Sequence, residues 1–269
     1  MKRRARLADG DDAETEDLSR RLGWLLHIDD PARLQAQGRA ISHSEGGRVE
    51  APLSPIDQRR IEMLDAQLWP RGEVRSVGET IRAMTEQPAI AAEIGELQEV
   101  LDERIAVSTA IYPVPEWPLC LHHHYSRREI VAGVGFVALG EKKKSLQGGI
   151  LTLKDRPSEL LFVTLDKAGA GFSPTTRYRD YAISPHLFHW ETQGVASVSR
   201  PSGRRYLESP GNGMSFQLFV RLGPNDAFAY LGPVTYQRHS GDRPIAITWK
   251  LEYPMPAGLF ERYATLASG

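Results

Sequence analysis

The sequence predicts an α+β protein: an N-terminal helical bundle, then a mixed or antiparallel, curved β-sheet or partly open barrel with one or two helices. Three observations support this class. Apolar residues recur at helical spacing through residues 18–107. Residues 148–253 instead carry short apolar runs separated by Gly, Pro and Asn, which is typical of strands. The proline-rich stretch "IYPVPEWPL", residues 111–119, separates the two patterns.

Four helices are predicted in the first half. They begin near residues 18, 56, 76 and 88, and each carries an apolar stripe of the kind that packs in a small bundle. Ser76 and Glu79 have the spacing of a capping box, and Pro88 suits the first turn of the last helix. The stretch "QGRAISHSEGGRVEAPLSP", residues 37–55, is rich in Gly, Ser and Pro and is expected to be flexible.

The second half begins with another capping box, Ser126 and Glu129, which predicts a short helix through about residue 136. Five strands are expected after it, in "GGILTLK", "ELLFVTLD", "SFQLFVRL", "AFAYLG" and "PIAITWKLEY". The predicted organisation is a disordered tail at 1–16, a helical segment at 17–112 and an α+β domain at 113–269.

Composition sets limits on the class of protein. The 269 residues are 41% hydrophobic and 25% charged, which is ordinary for a globular protein, and no apolar run approaches the roughly 18 residues of a membrane span. The N-terminus lacks the apolar region of a secretory signal. The single cysteine, Cys120, excludes an internal disulfide and favours a cytoplasmic location.

Charge is distributed unevenly along the chain. Residues 1–119 carry 15 Lys and Arg against 22 Asp and Glu, whereas residues 120–269 carry 18 against 12. Such asymmetry favours contact between the basic half and an anionic polymer, although two halves with different folds can also simply differ in surface charge.

Several motifs are absent from the sequence. It has no phosphate-binding G-x-x-x-x-G-K-[ST] loop, no Cys-x-x-Cys pair, no H-E-x-x-H and no G-x-S-x-G. "GVGFVALG" lacks the third glycine of a dinucleotide site. Neither a motor ATPase nor a cofactor is therefore expected in this chain.

Two groups of histidines are possible metal ligands. His122, His123 and His124 are adjacent, so at most the first and third face one ion in an extended segment. Asp180, His186, His189 and Glu191 form the second group, and they are the candidate catalytic residues of a metal-dependent nuclease. The alternative for both groups is a structural role beside packed residues, which is the favoured interpretation, and no metal is predicted.

Both candidate catalytic histidines lie in the stretch "SPTTRYRDYAISPHLFHWETQ", residues 173–193, which also predicts a surface for recognition. Its first part has arginines two residues apart, which project from one face of an extended segment, together with hydroxyls and aromatic rings that suit phosphates and bases. Leu187–Trp190 is expected to be core. A basic loop at residues 200–205 is expected to line the same concave face. The candidate DNA-binding residues are Thr175, Thr176, Arg177, Tyr178, Arg179, Tyr181, Arg204 and Arg205.

These stretches also resemble a known family. "PLCLHHHYSRREIVAGVG", "FSPTTRYRDYAISPHLFHWETQ", "SGRRYL" and "AYLGPVTYQRHSGDRPIAITWKLEYPMP" are similar to the uncharacterised C-terminal domain of bacterial superfamily II DEAD/DEAH-type helicases. Those helicases often also carry a phospholipase-D-like nuclease domain. "LLHIDDPARL" and "AAEIGELQEVLDERI" resemble the segment that precedes this domain, so the likeness runs from about residue 18 to residue 260.

The resemblance implies an accessory module that acts on DNA beside a motor, in restriction or phage defence. The motor and nuclease chemistry of those helicases belongs to domains that this sequence does not contain, so neither activity is transferred. The expected partners are DNA and a separately encoded helicase or nuclease, with no membrane. A protein–protein adaptor that docks on a helicase, and the metal-dependent nuclease, remain the alternatives.

Overall fold

The computed structural model contains two compact units, residues 1–140 and 141–269, which we call the first and the second unit. This division lies after the predicted boundary at 112/113, which remains a prediction. The structure describes residues 20–42, 44–45, 48–49, 52–69, 75–86, 88–105, 110–136, 148–153, 155–166, 180–194, 196–209 and 211–264. The predicted disordered tail at 1–16 lies outside these ranges.

The first unit is helical. Its described part contains a short 3-10 helix, Gly23–Leu25, and the two-residue strands β1 (Ser44–Glu45), β2 (Arg48–Val49) and β3 (His124–Tyr125). Its α-helices are α1 (Pro31–Ser42), α2 (Pro55–Leu68), α3 (Val77–Thr85), α4 (Pro88–Arg104) and α5 (Arg127–Gly133). Helix α1 was not predicted, because most of it lies in or beside the stretch interpreted as flexible.

Local capping explains where these helices begin. Both predicted capping boxes are confirmed: Ser76 and Glu79 start α3, and Ser126 and Glu129 start α5. The Asp30 carboxylate accepts hydrogen bonds from the backbone N–H groups of Ala32 and Arg33, at 3.1 and 3.3 Å, at the start of α1. Pro31 supplies the restricted φ that the first helical position favours.

Apolar stripes of these helices meet in one core. The buried side chains come from the residue 22–28 segment, from α1 and α2, and from α3 and α4. They are Leu22, Leu25, Ile28, Leu34, Leu64, Leu68, Met84, Ile94 and Leu101. The predicted stripes of a small bundle are therefore confirmed for the segments that the structure describes.

The second unit is built on a sheet. Its strands are β4 (Ile150–Leu153), β5 (Ser158–Thr164), β6 (Tyr181–Ser184), β7 (Leu187–Glu191), β8 (Ser215–Arg221), β9 (Phe228–Ser240) and β10 (Ala246–Leu251). They lie in the order β4-β5-β8-β9-β10-β7-β6. Neighbouring strands are antiparallel, except for the parallel pair β5 and β8. The sheet is mixed and open and is not closed into a barrel, so the α+β prediction is confirmed.

Two helices, α6 (Pro201–Leu207) and α7 (Ala257–Ala264), pack on one face of this sheet. Tyr206 from α6 and Tyr263 from α7 join a buried cluster with Trp190 and Trp249. Rings contact directly in this cluster, with Tyr206 and Trp190 centroids 5.3 Å apart. We call this the core face, and the opposite side the outer face. Within the described ranges, no helix has the length and apolar content needed to cross a bilayer.

Candidate nucleic-acid interface

Strands β6 and β7 form a hairpin that the sequence did not predict. Their register pairs Tyr181 with His189 and Ala182 with Phe188. Because side chains alternate along a strand, the two pairs lie on opposite faces. Ala182 and Phe188 belong to the core face, as does Trp190. The expectation that residues 187–190 supply core is thus confirmed for Phe188 and Trp190, whereas Leu187 is half-buried.

A row of polar and aromatic side chains crosses the outer face. Arg238 on β9 pairs in register with Thr248 on β10, Thr248 with His189 on β7, and His189 with Tyr181 on β6. The Arg238 Nε donates to Thr248 Oγ1 at 3.4 Å. At the other end, the rings of Tyr181 and His189 stack at 4.7 Å with an interplanar angle of 23°. We call these four residues the outer row.

Further polar residues flank the outer row. Exposed Lys250 pairs in register with exposed Thr235 on β9 and with Leu187 on β7. It lies two residues after Thr248 in β10, so its side chain is on the outer face as well. Ile183, beside Tyr181 in β6, is an exposed apolar side chain. Glu191 lies with its Oε1 3.7 Å from His189 Nε2. The surface thus combines two exposed cations, the exposed Thr235, a ring pair and one carboxylate, whereas Thr248 itself is buried.

The candidate catalytic residues are not brought together as a metal centre. His186 is exposed in the β6–β7 turn, where its backbone N–H donates to Ser184 Oγ at 3.3 Å. Asp180 Oδ1 instead accepts the backbone N–H of Glu191 at 3.0 Å. Within the described ranges, no three or more His, Cys, Asp or Glu side chains are grouped so that they could hold a metal. His186 and His189 also belong to a hairpin and not to one helical turn.

The prediction of a basic loop at residues 200–205 is wrong, because residues 201–207 form helix α6, with Pro201 at its first position. Gly203 permits close packing there: an added Cβ would overlap the Ser197 carbonyl oxygen and lie 2.8 Å from Ile245 Cδ1. Since α6 packs on the core face, Arg204 and Arg205 lie on the side of the sheet opposite Tyr181. These predicted contact residues therefore do not share one surface.

Arg205 is already paired within the second unit. Its Nε lies 3.3 Å from Glu159 Oε1, and its Nη2 donates to the Tyr206 hydroxyl at 2.6 Å. Thr152 Oγ1 also donates to Glu159 Oε1, at 3.1 Å. Burial raises the pKa of Glu159 despite the opposing effect of Arg205, and burial raises the pKa of Tyr206 to about 12. This cluster ties α6 to strands β4 and β5.

The remaining predicted contact residues, Thr175, Thr176, Arg177, Tyr178 and Arg179, lie outside the described residues. Their place in the chain is still informative. They are followed at once by Asp180 and by Tyr181, the first residue of β6 and the last member of the outer row. Of the three candidates within the described residues, Tyr181, Arg204 and Arg205, the structure places Tyr181 on the outer face.

The first unit holds a buried charged cluster that the sequence did not reveal. Arg33 and Glu129 are both 0% exposed and form an ion pair between α1 and α5. The other Glu129 oxygen, Oε2, lies 2.7 Å from His27 Nε2 and accepts the Ser126 backbone N–H at 2.6 Å. The capping-box glutamate therefore also serves as a tertiary anchor.

Two aspartates extend this cluster. Asp30 accepts the Tyr125 hydroxyl at 2.9 Å, and that hydroxyl accepts the Cys120 backbone N–H at 2.8 Å. Asp29 binds His124 twice, through the backbone N–H at 2.8 Å and through Nδ1 at 2.6 Å. The signal in the sequence was "HIDDPARL", whose charged residues interrupt an apolar pattern. Its partners lie near residues 120–129, which no local pattern connects to it.

Burial and charge set the acid–base behaviour of this cluster. Burial alone would raise the pKa of Glu129, but Arg33 and His27 outweigh it and hold the pKa at about 2. Burial raises the pKa of Cys120 to about 12, with a further contribution from Asp30. Burial, together with His123, lowers the pKa of His122 to about 4. Glu129 is therefore ionised at neutral pH, while the Cys120 thiol and His122 are neutral.

The fold and these sites define an α+β domain with a helical unit before it in the chain. The outer face of its sheet is polar over β6, β7, β10 and the end of β9, whereas over β5 and β8 it carries buried aromatic rings such as Phe162 and Phe219. Residues 119–263, more than half of the chain, match the family described as "Domain of unknown function (DUF3427)". The chain belongs to this family. A comparison with curated proteins finds no match.

Proposed function

We propose that the second unit binds DNA through its outer face. The observation that carries this proposal is the outer row, in which Arg238, Thr248, His189 and Tyr181 occupy matching register positions on four adjacent strands. Cationic and hydroxyl groups suit phosphate oxygens, and ring faces suit bases. A rigid sheet holds these groups at fixed spacing, which lowers the entropic cost of recognition.

Charge supports the same conclusion. Residues 141–269 carry 16 Lys and Arg against 11 Asp and Glu. Arg238 and Lys250 are exposed on the outer face, and Arg177 and Arg179 precede Tyr181 by a few residues. Arg205 is left out of the proposed contact set because Glu159 already pairs with it. Arg204 is left out because α6 packs on the core face.

The domain acts as an accessory module without motor activity. Its resemblance to the C-terminal domain of superfamily II helicases supports a role beside a separately encoded helicase or nuclease, in restriction or phage defence. The sequence has no phosphate-binding loop, so the energy for strand movement would come from the partner. In this arrangement the chain contributes DNA affinity and the partner contributes the chemistry.

Filter binding of the full chain to DNA at several salt concentrations tests the proposal. Neutralising about three or four phosphates gives a log–log slope of affinity against salt of about −3 to −4. Arg238→Ala with Lys250→Ala should weaken binding and reduce the slope by about 2, one for each lost phosphate contact. Arg177→Ala with Arg179→Ala should act similarly without lowering the melting temperature.

A matched control removes the same charge from the other side of the sheet. Arg204 and Arg262 are exposed on α6 and α7, which pack on the core face. Arg204→Ala with Arg262→Ala should leave affinity within about twofold, since these side chains contact no phosphate in the proposed complex. Equal losses in the two double variants would mean that only net charge matters. Absence of DNA binding at low salt would contradict the proposal altogether.

A further inference from the structure

The geometry of the outer face points to an unpaired strand as the DNA that it binds: we infer that one base stacks on Tyr181. This inference rests on the proposed function. It names the form of DNA and the residue that would select it.

One side of the Tyr181 ring packs against the ring of His189. It stacks on His189 at 4.7 Å, and His189 is flanked by Glu191, whose Oε1 lies 3.7 Å from His189 Nε2. Tyr181 also starts β6, the last strand in the sheet order, so no further strand of the described sheet lies beyond it. Tyr181 is partly exposed, so a ring that is stacked on one side and lies at the edge of the described sheet can offer its other side to a ligand. Holding the ring in place in advance lowers the entropic cost of stacking.

The outer row has dimensions that suit a strand lying across the sheet. Neighbouring strands are about 4.8 Å apart, so the three intervals from Tyr181 to Arg238 span about 14 Å. A ring is at one end, and the cations Arg238 and Lys250 lie towards the other. A base on Tyr181 and neighbouring phosphates at the cations can therefore belong to one short stretch of backbone. Sheet faces that carry rings bind unpaired nucleotides in this way.

A duplex is a poorer ligand for this arrangement. In a duplex the faces of the bases are stacked on one another, and only their edges are accessible in the grooves. Stacking on Tyr181 needs a free base face, which an unpaired strand offers at no cost and a duplex offers only after unpairing. The cations, in contrast, interact with either form. Affinity for both forms, with a preference for the unpaired one, is expected.

Trp190 does not provide such a stacking surface, although it is the larger ring in the same hairpin. It is only 5% exposed and packs against Tyr206 and Trp249 on the core face. The alternation of the strand separates the two rings: Trp190 contributes to stability, whereas Tyr181 lies on the outer face. This difference makes Tyr181 the residue to vary.

Fluorescence titration of the full chain with a single-stranded oligonucleotide and with a hairpin duplex of the same sequence tests the inference. Tyr181→Phe keeps the ring and should bind the single strand as the natural chain does. Tyr181→Leu should lose about 5- to 150-fold in affinity for the single strand, the usual range for one stacked base. The loss for the duplex should be less than about twofold. The salt slope should not change, because no phosphate contact is removed.

A second readout is the fluorescence of 2-aminopurine placed in the oligonucleotide, which stacking quenches. Quenching by the natural chain and by Tyr181→Phe, but not by Tyr181→Leu, supports the inference. Because Leu could disturb the edge strand, a second ring-less variant is included: Tyr181→Thr, whose β-branched side chain favours strand structure as tyrosine does. A melting curve is recorded for each variant. Loss of single-strand affinity without a drop in melting temperature is the expected result.

The outcomes separate this inference from the proposed function. If Arg238→Ala with Lys250→Ala weakens binding while Tyr181→Leu binds both DNA forms normally, the stacking inference is wrong and the proposed function stands. If the natural chain prefers the duplex, the inference is again wrong. If the natural chain binds neither form at low salt, the proposed function itself is wrong.

Discussion

Replacing Glu129 by glutamine is expected to destabilise the first unit by about 3–5 kcal/mol, the usual cost of breaking a buried ion pair. Glutamine keeps the size of the side chain and can still accept the Ser126 N–H, so the helix cap is retained in part. What it removes is the charge that compensates Arg33, which is 0% exposed. The Nε and Nη1 of Arg33 have no hydrogen-bond partner among the described residues, so this cation depends on Glu129.

The lowered pKa of Glu129 gives a second value for the stability that this side chain contributes. Its pKa falls from 4.5 to about 2 in the folded protein. At about 1.4 kcal/mol for each pKa unit, this corresponds to about 3 kcal/mol of stabilisation at neutral pH. A carboxyl with a lowered folded pKa stabilises the fold above its unfolded pKa. That contribution disappears as the pH falls from about 4.5 towards 2.

The assay is urea unfolding of the full chain combined with hydrogen exchange. Because the chain has two compact units, one bulk transition is not a sufficient measure. Exchange of the amides in α1 and α5 reports the first unit directly. Glu79→Gln is the matched control, since Glu79 is the exposed glutamate at the same position of the other capping box. Glu79→Gln should reduce stability far less, because the Glu79 carboxylate is exposed and balances no buried cation.

A double-variant cycle completes the test. Arg33→Met alone leaves Glu129 buried without its main counter-charge and should also destabilise the unit. Arg33→Met combined with Glu129→Gln should be more stable than the sum of the two losses predicts, because neither charge then remains uncompensated. Additive losses, or equal effects of Glu129→Gln and Glu79→Gln, would refute the reasoning. So would a Glu129→Gln protein whose stability still falls as steeply between pH 4.5 and 2.

Two further predictions concern single positions. Gly203→Ala should destabilise the second unit by about 1–3 kcal/mol, the usual cost of overpacking, because the added Cβ would overlap the Ser197 carbonyl. The measurement is a melting curve, and the control is Gly194→Ala, where nothing lies within 4 Å of an added Cβ. An unchanged melting temperature for Gly203→Ala would contradict the close packing of α6. Cys120 should react with a thiol reagent at pH 8 at least about a hundredfold more slowly in the folded than in the denatured chain, because burial raises its pKa to about 12. Similar rates in both states would show that the thiol is accessible.

Local patterns were sufficient for much of the first unit. Helices α2, α3 and α5 begin where Ser54, Ser76 and Ser126 cap them, and a cap depends only on residues within one turn. Apolar stripes likewise repeat within a helix and can be recognised without knowing their partner. Helix α1 was missed because Gly38 and Gly46–Gly47 resemble a loop sequence, while its start depends on Asp30.

The second unit shows why the remaining features of the fold and site could not be predicted from the sequence. Phe188 and Trp190 were recognised as core from their apolar character, yet the β6–β7 hairpin was not, because its polar residues hide the alternation. The face on which Tyr181 lies depends on its pairing with His189, and a shift of one residue would reverse it. Arg204 and Arg205 resembled a basic loop in composition, although Tyr206 anchors them on a helix against the core face.

The sequence by itself determined the α+β class, the helix caps and the charge asymmetry, since each depends on composition or on residues close together in the chain. The tertiary structure alone decided which side chains share a surface. The outer row joins residues from Tyr181 to Arg238, and the buried cluster joins His27 and Arg33 to Glu129. Such contacts depend on strand register and helix packing. These are properties of the whole fold, and no window of sequence contains both partners.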